Sequence, residues 1–251
     1  EFRRVLFRSF ISVISLVFFL CMNTAVAIEL SLVTDPWPPY NISASGNDRG
    51  LSIDIVTIAL ERAGYTTSVK LVPWSRAEQG VKKGAYDVLV GAWFTDERAK
   101  KLKFSTPYYE NKIKFITTQK NINFSDLASL KNYKIGIVRG YAYAPDFNNA
   151  TFLKKASANK LEINMDKLLL KRIDLTLADE LVAKLLIRNS FDENKDKFIF
   201  LGKNLITNPL HIAVSKTRND VNEISEKFNV ALQEMKDDGT YEKIVSKYNK
   251  V

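Results

Sequence analysis

The chain has 251 residues, of which 46% are hydrophobic and 26% charged, and its formal net charge is +9. This composition is that of a globular protein that can bury one or two cores, and it excludes a disordered chain. The lysines are spread along predicted helices and are not clustered with aromatic residues. The basic charge therefore indicates a solvated surface and not a nucleic-acid interface.

Residues 1–27 differ in composition from the rest of the chain. Three arginines precede an apolar run at 10–22, and Ala25-Val26-Ala27 supplies the small residues of a cleavage site. The run is shorter than the roughly 20 residues that span a bilayer. The segment predicts a signal peptide, residues 1–27, cleaved before Ile28, and hence a periplasmic protein.

The chain's one cysteine, Cys21, lies in this segment. The exported protein would therefore contain no intramolecular disulfide, although its compartment is oxidising. A lipoprotein acylated at Cys21 is an alternative, but Leu20 stands where such a site has a small residue.

From Ile28 onward, short β-type runs alternate with amphipathic helices, a pattern typical of parallel α/β sheets. The first unit predicts strands at 29–34, 67–72, 86–90 and 111–118, a helix at about 51–64, and a Lys-rich helix before residue 86. The second unit predicts helices at 124–131, 159–171 and 180–188, with strands at 134–138, 174–177, 198–201 and 211–214. Two C-terminal helices divided by Gly239 follow. Two units joined by extended segments, without a flexible linker, predict two lobes connected by β crossovers.

Catalytic and metal-binding patterns are scarce. The single histidine, His211, lies in an alternating apolar run, where a packed strand residue is expected rather than a general base. With one histidine, and no cysteine after cleavage, a Cys/His metal site is excluded, and no glycine-rich phosphate loop or nucleophile motif occurs. We therefore expect a binding protein without a cofactor, not an enzyme.

Aromatic and polar residues collect where predicted strands end, which is where open α/β sheets bind ligands. They lie in Thr34-Asp-Pro-Trp-Pro-Pro-Tyr40, at Trp74, in Gly91-Ala-Trp-Phe-Thr-Asp-Glu-Arg98, in Gly140-Tyr141-Ala142 and at Asp179. An arginine can clamp a carboxylate, an aspartate can accept from an ammonium, and an aromatic ring can pack on the rest of a ligand. This set suits a zwitterion held between two closing lobes.

The same segments resemble the amino-acid class of bacterial extracellular solute-binding proteins. The resemblance covers nearly all of the predicted mature chain and includes Trp37-Pro-Pro-Tyr40, Gly50-Leu-Ser-Ile-Asp-Ile55, Gly84-Ala-Tyr-Asp-Val-Leu-Val90, Thr95-Asp-Glu-Arg98, Phe104-Ser-Thr-Pro-Tyr-Tyr109, Lys134-Ile-Gly-Ile-Val-Arg-Gly140, Arg172-Ile-Asp-Leu-Thr-Leu-Ala-Asp179 and Asp238-Gly-Thr-Tyr241. It implies the type II periplasmic-binding-protein fold, with two β crossovers forming a hinge. Lobe 1 would comprise residues 28–116 plus 211–251, and lobe 2 residues 117–210.

The resemblance also implies roles for individual residues. Arg98 would clamp the ligand carboxylate, and Asp179 would receive its ammonium. The residues that wall the ligand or offer backbone groups would be Trp37, Tyr40, Trp74, Gly91, Tyr141 and Ala142. The loop 91–94 departs from the family pattern, because it is bulkier and poorer in hydroxyl groups. Trp93 beside Trp74 suggests that the ligand has an aromatic or apolar side chain, or that it lies outside the standard amino acids.

The leading hypothesis is thus a monomeric periplasmic protein that captures an amino acid or analogue for an ATP-driven (ABC) permease. An alternative is a periplasmic cyclohexadienyl or arogenate dehydratase-like enzyme, with Asp35 or Glu180 as the acid. Another is a ligand-sensing partner of a membrane receptor.

Overall fold

The computed structural model describes residues 27–139, 141 and 143–249. The predicted signal peptide, 1–27, lies outside the described residues except for Ala27. Over the described ranges, no helix is both long and apolar enough to cross a membrane.

Strands of the described residues join into one curled sheet. In chain order they are β1 Glu29–Thr34, β2 Thr66–Leu71, β3 Val88–Ala92, β4 Leu102–Phe104, β5 Tyr109–Thr117, β6 Lys134–Val138, β7 Lys154–Ala158, β8 Leu175–Asp179 and β9 Ile199–Ser215. The sheet order is β2-β1-β3-β9-β5-β8-β6-β7, and β4 pairs with β9 beside this path.

Helices of the described residues alternate with these strands. They are α1 Leu51–Arg62, α2 Trp74–Lys82, α3 Asp96–Ala99, α4 Pro145–Asn149, α5 Leu161–Leu169, α6 Glu180–Ser190, α7 Val221–Asp237 and α8 Thr240–Tyr248. Short 3₁₀ helices occur at Ala128–Leu130 and Asp192–Lys197. Gly239, at φ 79°, separates the last two α-helices as the sequence predicts.

Each half of the sheet has a parallel α/β arrangement with its own buried core. β1 pairs parallel with β2 and β3, and β6 pairs parallel with β7 and β8. Leu32, Ile55 and Phe228 belong to one core cluster, whereas Phe115 and Phe147 belong to another. Since each half buries an apolar cluster of its own, the sheet is divided into two packing units.

Two long antiparallel strands run between these halves. β5 and β9 pair from Tyr109 opposite Leu210 to Thr117 opposite Ile199, and β9 continues until Val214 pairs with Val88 of β3. In the sheet order, β9 and β5 therefore lie between β3 of one half and β8 of the other, and they link the two halves. This is the two-crossover connection that the sequence predicts.

Three local predictions are wrong. The runs predicted as separate strands at 198–201 and 211–214 belong to one strand, β9, because pairing with β5 overrides the turn preference of the glycine, asparagines and proline between them. The helix predicted at 124–131 is reduced to the 3₁₀ turn at Ala128–Leu130. Trp74, predicted to end a strand, is instead the first residue of α2, directly after Pro73.

Candidate ligand-binding site

A pocket of about 280 Å³ lies at the carboxyl ends of three adjacent parallel strands, β2, β1 and β3. Its lining residues are Asp35, Trp37, Trp74, Gly91, Trp93 and Arg98. The volume is close to the lower end of the roughly 300–1,000 Å³ of typical ligand pockets, so it suits a small molecule. Five of the nine sequence-predicted site residues are thus brought together.

The loop after β1 is held in place by the start of α1. The Ser52 amide donates a 2.9 Å hydrogen bond to the Tyr40 carbonyl. Gly50 has a φ of 102°, and a Cβ at this position would lie 2.4 Å from the Tyr40 carbonyl oxygen. Only glycine permits this close approach, and the approach positions Trp37, whose ring stacks on that of Tyr40 with centroids 4.3 Å apart.

Gly91 forms the pocket wall at an irregularity of β3. Its φ is 78°, a left-handed conformation that favours glycine. The pairing register of β3 with β9 shifts between Leu89 and Ala92. The loop that follows this irregularity carries Trp93, which also lines the pocket.

Arg98 is held by one helical turn and by three contacts of its guanidinium. Its amide donates to the Thr95 hydroxyl, which caps α3. Its guanidinium donates to the Trp93 carbonyl at 2.9 Å and to a carboxylate oxygen of Glu78 at 3.1 Å, and it lies 5.3 Å from the ring centroid of Trp74. These contacts fix the orientation of the Arg98 side chain within the pocket lining.

Glu78, which pairs with the pocket residue Arg98, is a residue that the sequence analysis missed. Lys82 donates to its second oxygen at 2.6 Å, so the carboxylate lies between two cations. Burial raises the pKa of Glu78, but hydrogen bonds and charge from Lys82 and Arg98 outweigh burial and lower it. The spacing of Trp74, Glu78 and Lys82, four residues apart on one helix, was the available signal.

Asp35 also lines the pocket, although the sequence analysis considered it only as a possible dehydratase acid. Within the described ranges, its carboxylate forms no hydrogen bond or ion pair with another residue. Burial raises its pKa above the ordinary value, and the bond from its own backbone only partly opposes this. Asp35 is thus an acidic side chain of the pocket lining with no cationic partner among the residues that the structure describes.

Asp179 and Tyr40 lie together outside the pocket lining. Asp179 is 7% exposed, caps α6 by accepting from the Val182 amide at 2.8 Å, and accepts from the Tyr40 hydroxyl at 2.9 Å and from the Asn111 side-chain amide. Burial raises the pKa of Asp179 to about 6. The carboxylate expected to receive a ligand ammonium is therefore engaged by three protein donors.

Tyr141 and His211, which the sequence analysis also considered, are not among the described lining residues of this pocket. Tyr141 is 64% exposed after β6, with its ring 6.3 Å from that of Tyr143, and is not part of the pocket lining. Ala142 lies outside the described residues. His211 is a strand residue whose Nδ1 lies 2.8 Å from the Ser105 carbonyl oxygen.

Glu180, the other candidate acid for a dehydratase, is an ion-pair partner on α6. Its carboxylate lies 3.2 Å from the Lys184 ammonium and 3.8 Å from the Lys114 ammonium. Glu180 does not line the pocket that contains Arg98. Of the two alternative acids, only Asp35 lies in the lining of this pocket.

Among curated proteins, several amino-acid-binding proteins match this chain with similar sequence identities. The chain is 24% identical over 218 residues to a probable histidine-binding protein of Neisseria gonorrhoeae, covering 84% of this chain and 78% of that protein. It is also 24% identical over 220 residues to the arginine-binding extracellular protein ArtP of Bacillus subtilis, covering 84% and 82%.

Solved structures with the same fold span most of the chain. An ancestral arginine-binding protein bound to arginine matches with a TM-score of 0.59 and 26% identity, covering 88% of this chain and 98% of that one. Substrate-binding domain 2 of Lactococcus lactis GlnP, in an open conformation, matches with a TM-score of 0.72 and 22% identity, covering 90% and 97%. These matches confirm the predicted two-lobed periplasmic-binding-protein fold.

The family model describing bacterial extracellular solute-binding proteins, family 3, matches residues 30–251, nearly the whole described chain. This match confirms the resemblance drawn from the sequence motifs, and the family is one of binding proteins rather than enzymes. The chain belongs to family 3 of the bacterial extracellular solute-binding proteins.

Proposed function

We propose that this protein captures an amino acid or an amino-acid-like zwitterion in the periplasm and delivers it to an ABC-type membrane permease. The observation that carries the proposal is the pocket at the ends of β2, β1 and β3, where Arg98 is preoriented among tryptophan rings. A guanidinium in such a setting binds a carboxylate through paired charge-assisted hydrogen bonds.

The two lobes proposed for this capture are residues 28–116 plus 211–251 and residues 117–210. β5 and β9 cross between them and form the hinge. A ligand that contacts both lobes stabilises the closed arrangement in proportion to its additional contacts there. Tyr141 and Ala142 of lobe 2 are the proposed contacts opposite Arg98, and the working unit is a monomer.

The relatives support the proposal. The curated proteins named above are described as binding histidine or arginine, and one matched structure is described as bound to arginine. We do not assign any of these ligands to this protein, because the loop 91–94 presents the bulky Trp93 ring to the pocket. We therefore propose the class of zwitterionic small molecules and derive the ligand's chemistry from the pocket itself.

A thermal-shift screen of the exported protein tests this function. Standard amino acids, modified amino acids and organic acids are compared, since a ligand that binds only the folded state raises the melting temperature. We expect a shift for at least one α-carboxylate zwitterion. The absence of any shift, together with turnover of prephenate or arogenate, would favour the dehydratase alternative instead.

A further inference from the structure

All the tryptophans of the protein line one pocket. The chain contains three, and they are Trp37, Trp74 and Trp93. Tryptophan has the aromatic face that attracts cations most strongly. One of these rings, that of Trp74, already has a cation beside it, since the Arg98 guanidinium lies 5.3 Å from its centroid.

Among the described residues, the charges around the pocket leave the Asp35 carboxylate without a partner. The guanidinium of Arg98 is paired with Glu78, and Glu78 is also paired with Lys82. Asp35 has no such pairing among the described residues. A neutral aromatic or aliphatic ligand would cover Asp35 and remove its water without compensation, which is unfavourable for a charged group. A ligand cation beside Asp35 would provide that compensation.

The hydrogen-bonding groups of the pocket distinguish between kinds of cation. A primary ammonium has three N–H donors and a guanidinium has five, and buried donors need acceptors. Among the lining side chains only Asp35 carries an acceptor oxygen, since indole N–H groups and the Arg98 guanidinium are donors. The Trp93 carbonyl already accepts from Arg98. A fully alkylated ammonium has no N–H group to satisfy.

We propose that the ligand is a zwitterion with a methylated, quaternary ammonium, held by the three tryptophan rings and Asp35 while Arg98 binds its carboxylate. This inference rests on the proposed function and specifies its ligand class. It also accounts for the state of Asp179, whose carboxylate is engaged by Tyr40, Asn111 and the Val182 amide, because a quaternary ammonium donates no hydrogen bond to it.

A matched pair of probes tests the charge requirement. Glycine betaine and 3,3-dimethylbutanoate have the same shape and the same carboxylate. Glycine betaine has a cationic nitrogen where 3,3-dimethylbutanoate has a neutral carbon. The two probes are compared by isothermal titration calorimetry with proline betaine, another quaternary zwitterion, and with lysine, arginine and phenylalanine, which represent the alternative ligand classes. We expect at least one quaternary zwitterion to bind, and glycine betaine to bind at least tenfold more tightly than its carbon isostere.

The outcomes separate the two proposals. Binding of phenylalanine, lysine or arginine in preference to every quaternary zwitterion, or equal binding of the isosteric pair, would overturn the inference and leave the proposed function intact. Binding of no zwitterion in this panel or in the thermal-shift screen would overturn both.

A conservative variant tests the role of Asp35. Asp35→Asn retains the side-chain shape but removes the charge, so we expect at least a tenfold loss of affinity for the quaternary zwitterion. The affinity for the carbon isostere should not fall, because the charge that this ligand would desolvate is gone. Glu97→Gln is the matched control, because Glu97 is an exposed acid paired with Lys100 on the same lobe. Equal affinities of Asp35→Asn and the unmodified protein would remove Asp35 from the site.

Discussion

The Tyr40 hydroxyl donates a 2.9 Å hydrogen bond to the Asp179 carboxylate, joining the loop after β1 to the end of β8 across 139 residues of sequence. Tyr40 also supports the pocket, because its ring stacks on that of Trp37. The contact therefore connects the pocket side of one half of the sheet with the first turn of α6 in the other.

Asp179 is expected to titrate near pH 6 in the folded protein, because burial raises its pKa to that value from about 3.9 in an unfolded chain. Between about pH 4 and 6 the folded state then binds more protons at this site than the unfolded state does, so the contribution of Asp179 to stability decreases as pH rises through this window. The carboxyl ¹³C shift of labelled protein against pH measures the pKa.

Tyr40→Phe is the control for this titration. The hydrogen bond from Tyr40 lowers the pKa of Asp179, so its removal should raise that pKa further. A midpoint near pH 4 in the unmodified protein, or a lower midpoint in Tyr40→Phe, would contradict the assignment.

Ligand binding is expected to change the intrinsic tryptophan fluorescence of the protein. All three tryptophans line the pocket, so excitation of indole reports on this site alone. Trp93, 41% exposed, should lose the most water contact, and its emission should shift to shorter wavelength. The measurement is a fluorescence titration of the unmodified protein and of Trp93→Phe with ligand. If both proteins show the same wavelength shift, the ligand does not bind beside Trp93.

Arg98→Ala should weaken binding of a carboxylate ligand by about 10- to 100-fold, since hydrogen bonds to charged groups contribute roughly 1.5–3 kcal/mol. The fold should persist, because Glu78 keeps its bond to Lys82. Calorimetry measures the affinity, and circular dichroism the fold. Lys100→Ala is the control, since its pair with Glu97 is exposed to solvent. Unchanged affinity in Arg98→Ala would exclude Arg98 from carboxylate binding.

Gly91→Ala should lower the free energy of unfolding by about 1–2 kcal/mol, because an L-residue is strained at a φ of 78°. Space is not the cause, since a Cβ there would meet nothing closer than 3.8 Å. Gly202→Ala is the matched control: Gly202 has no positive φ, and its Cβ would have no neighbour within 4 Å. Urea denaturation of both variants measures the difference, and equal stabilities would show that the bulge at Gly91 relaxes.

The local pattern of the chain was sufficient for many elements. The strands Glu29–Thr34 and Lys134–Val138 and the division of the C-terminal helices at Gly239 occur as predicted. These elements depend on short-range alternation or on the glycine's left-handed conformation, which neighbouring residues express directly. The motif order likewise predicted the family and placed Trp37, Trp74, Gly91, Trp93 and Arg98 in one site.

Other features depended on partners distant in sequence. The 17-residue length of β9 follows from its pairing with β3, β4 and β5, which no local signal near Asn208 or Pro209 reveals. The engagement of Asp179 depends on Tyr40 and Asn111, 139 and 68 residues away. Sequence alone thus determined that Trp37 follows β1 and that Trp93 and Arg98 follow β3, because strand periodicity is local. Only the tertiary structure decided which charges of the site are already paired, because Arg98 and Glu78 come from separate elements, and Asp35 has no such partner among the described residues.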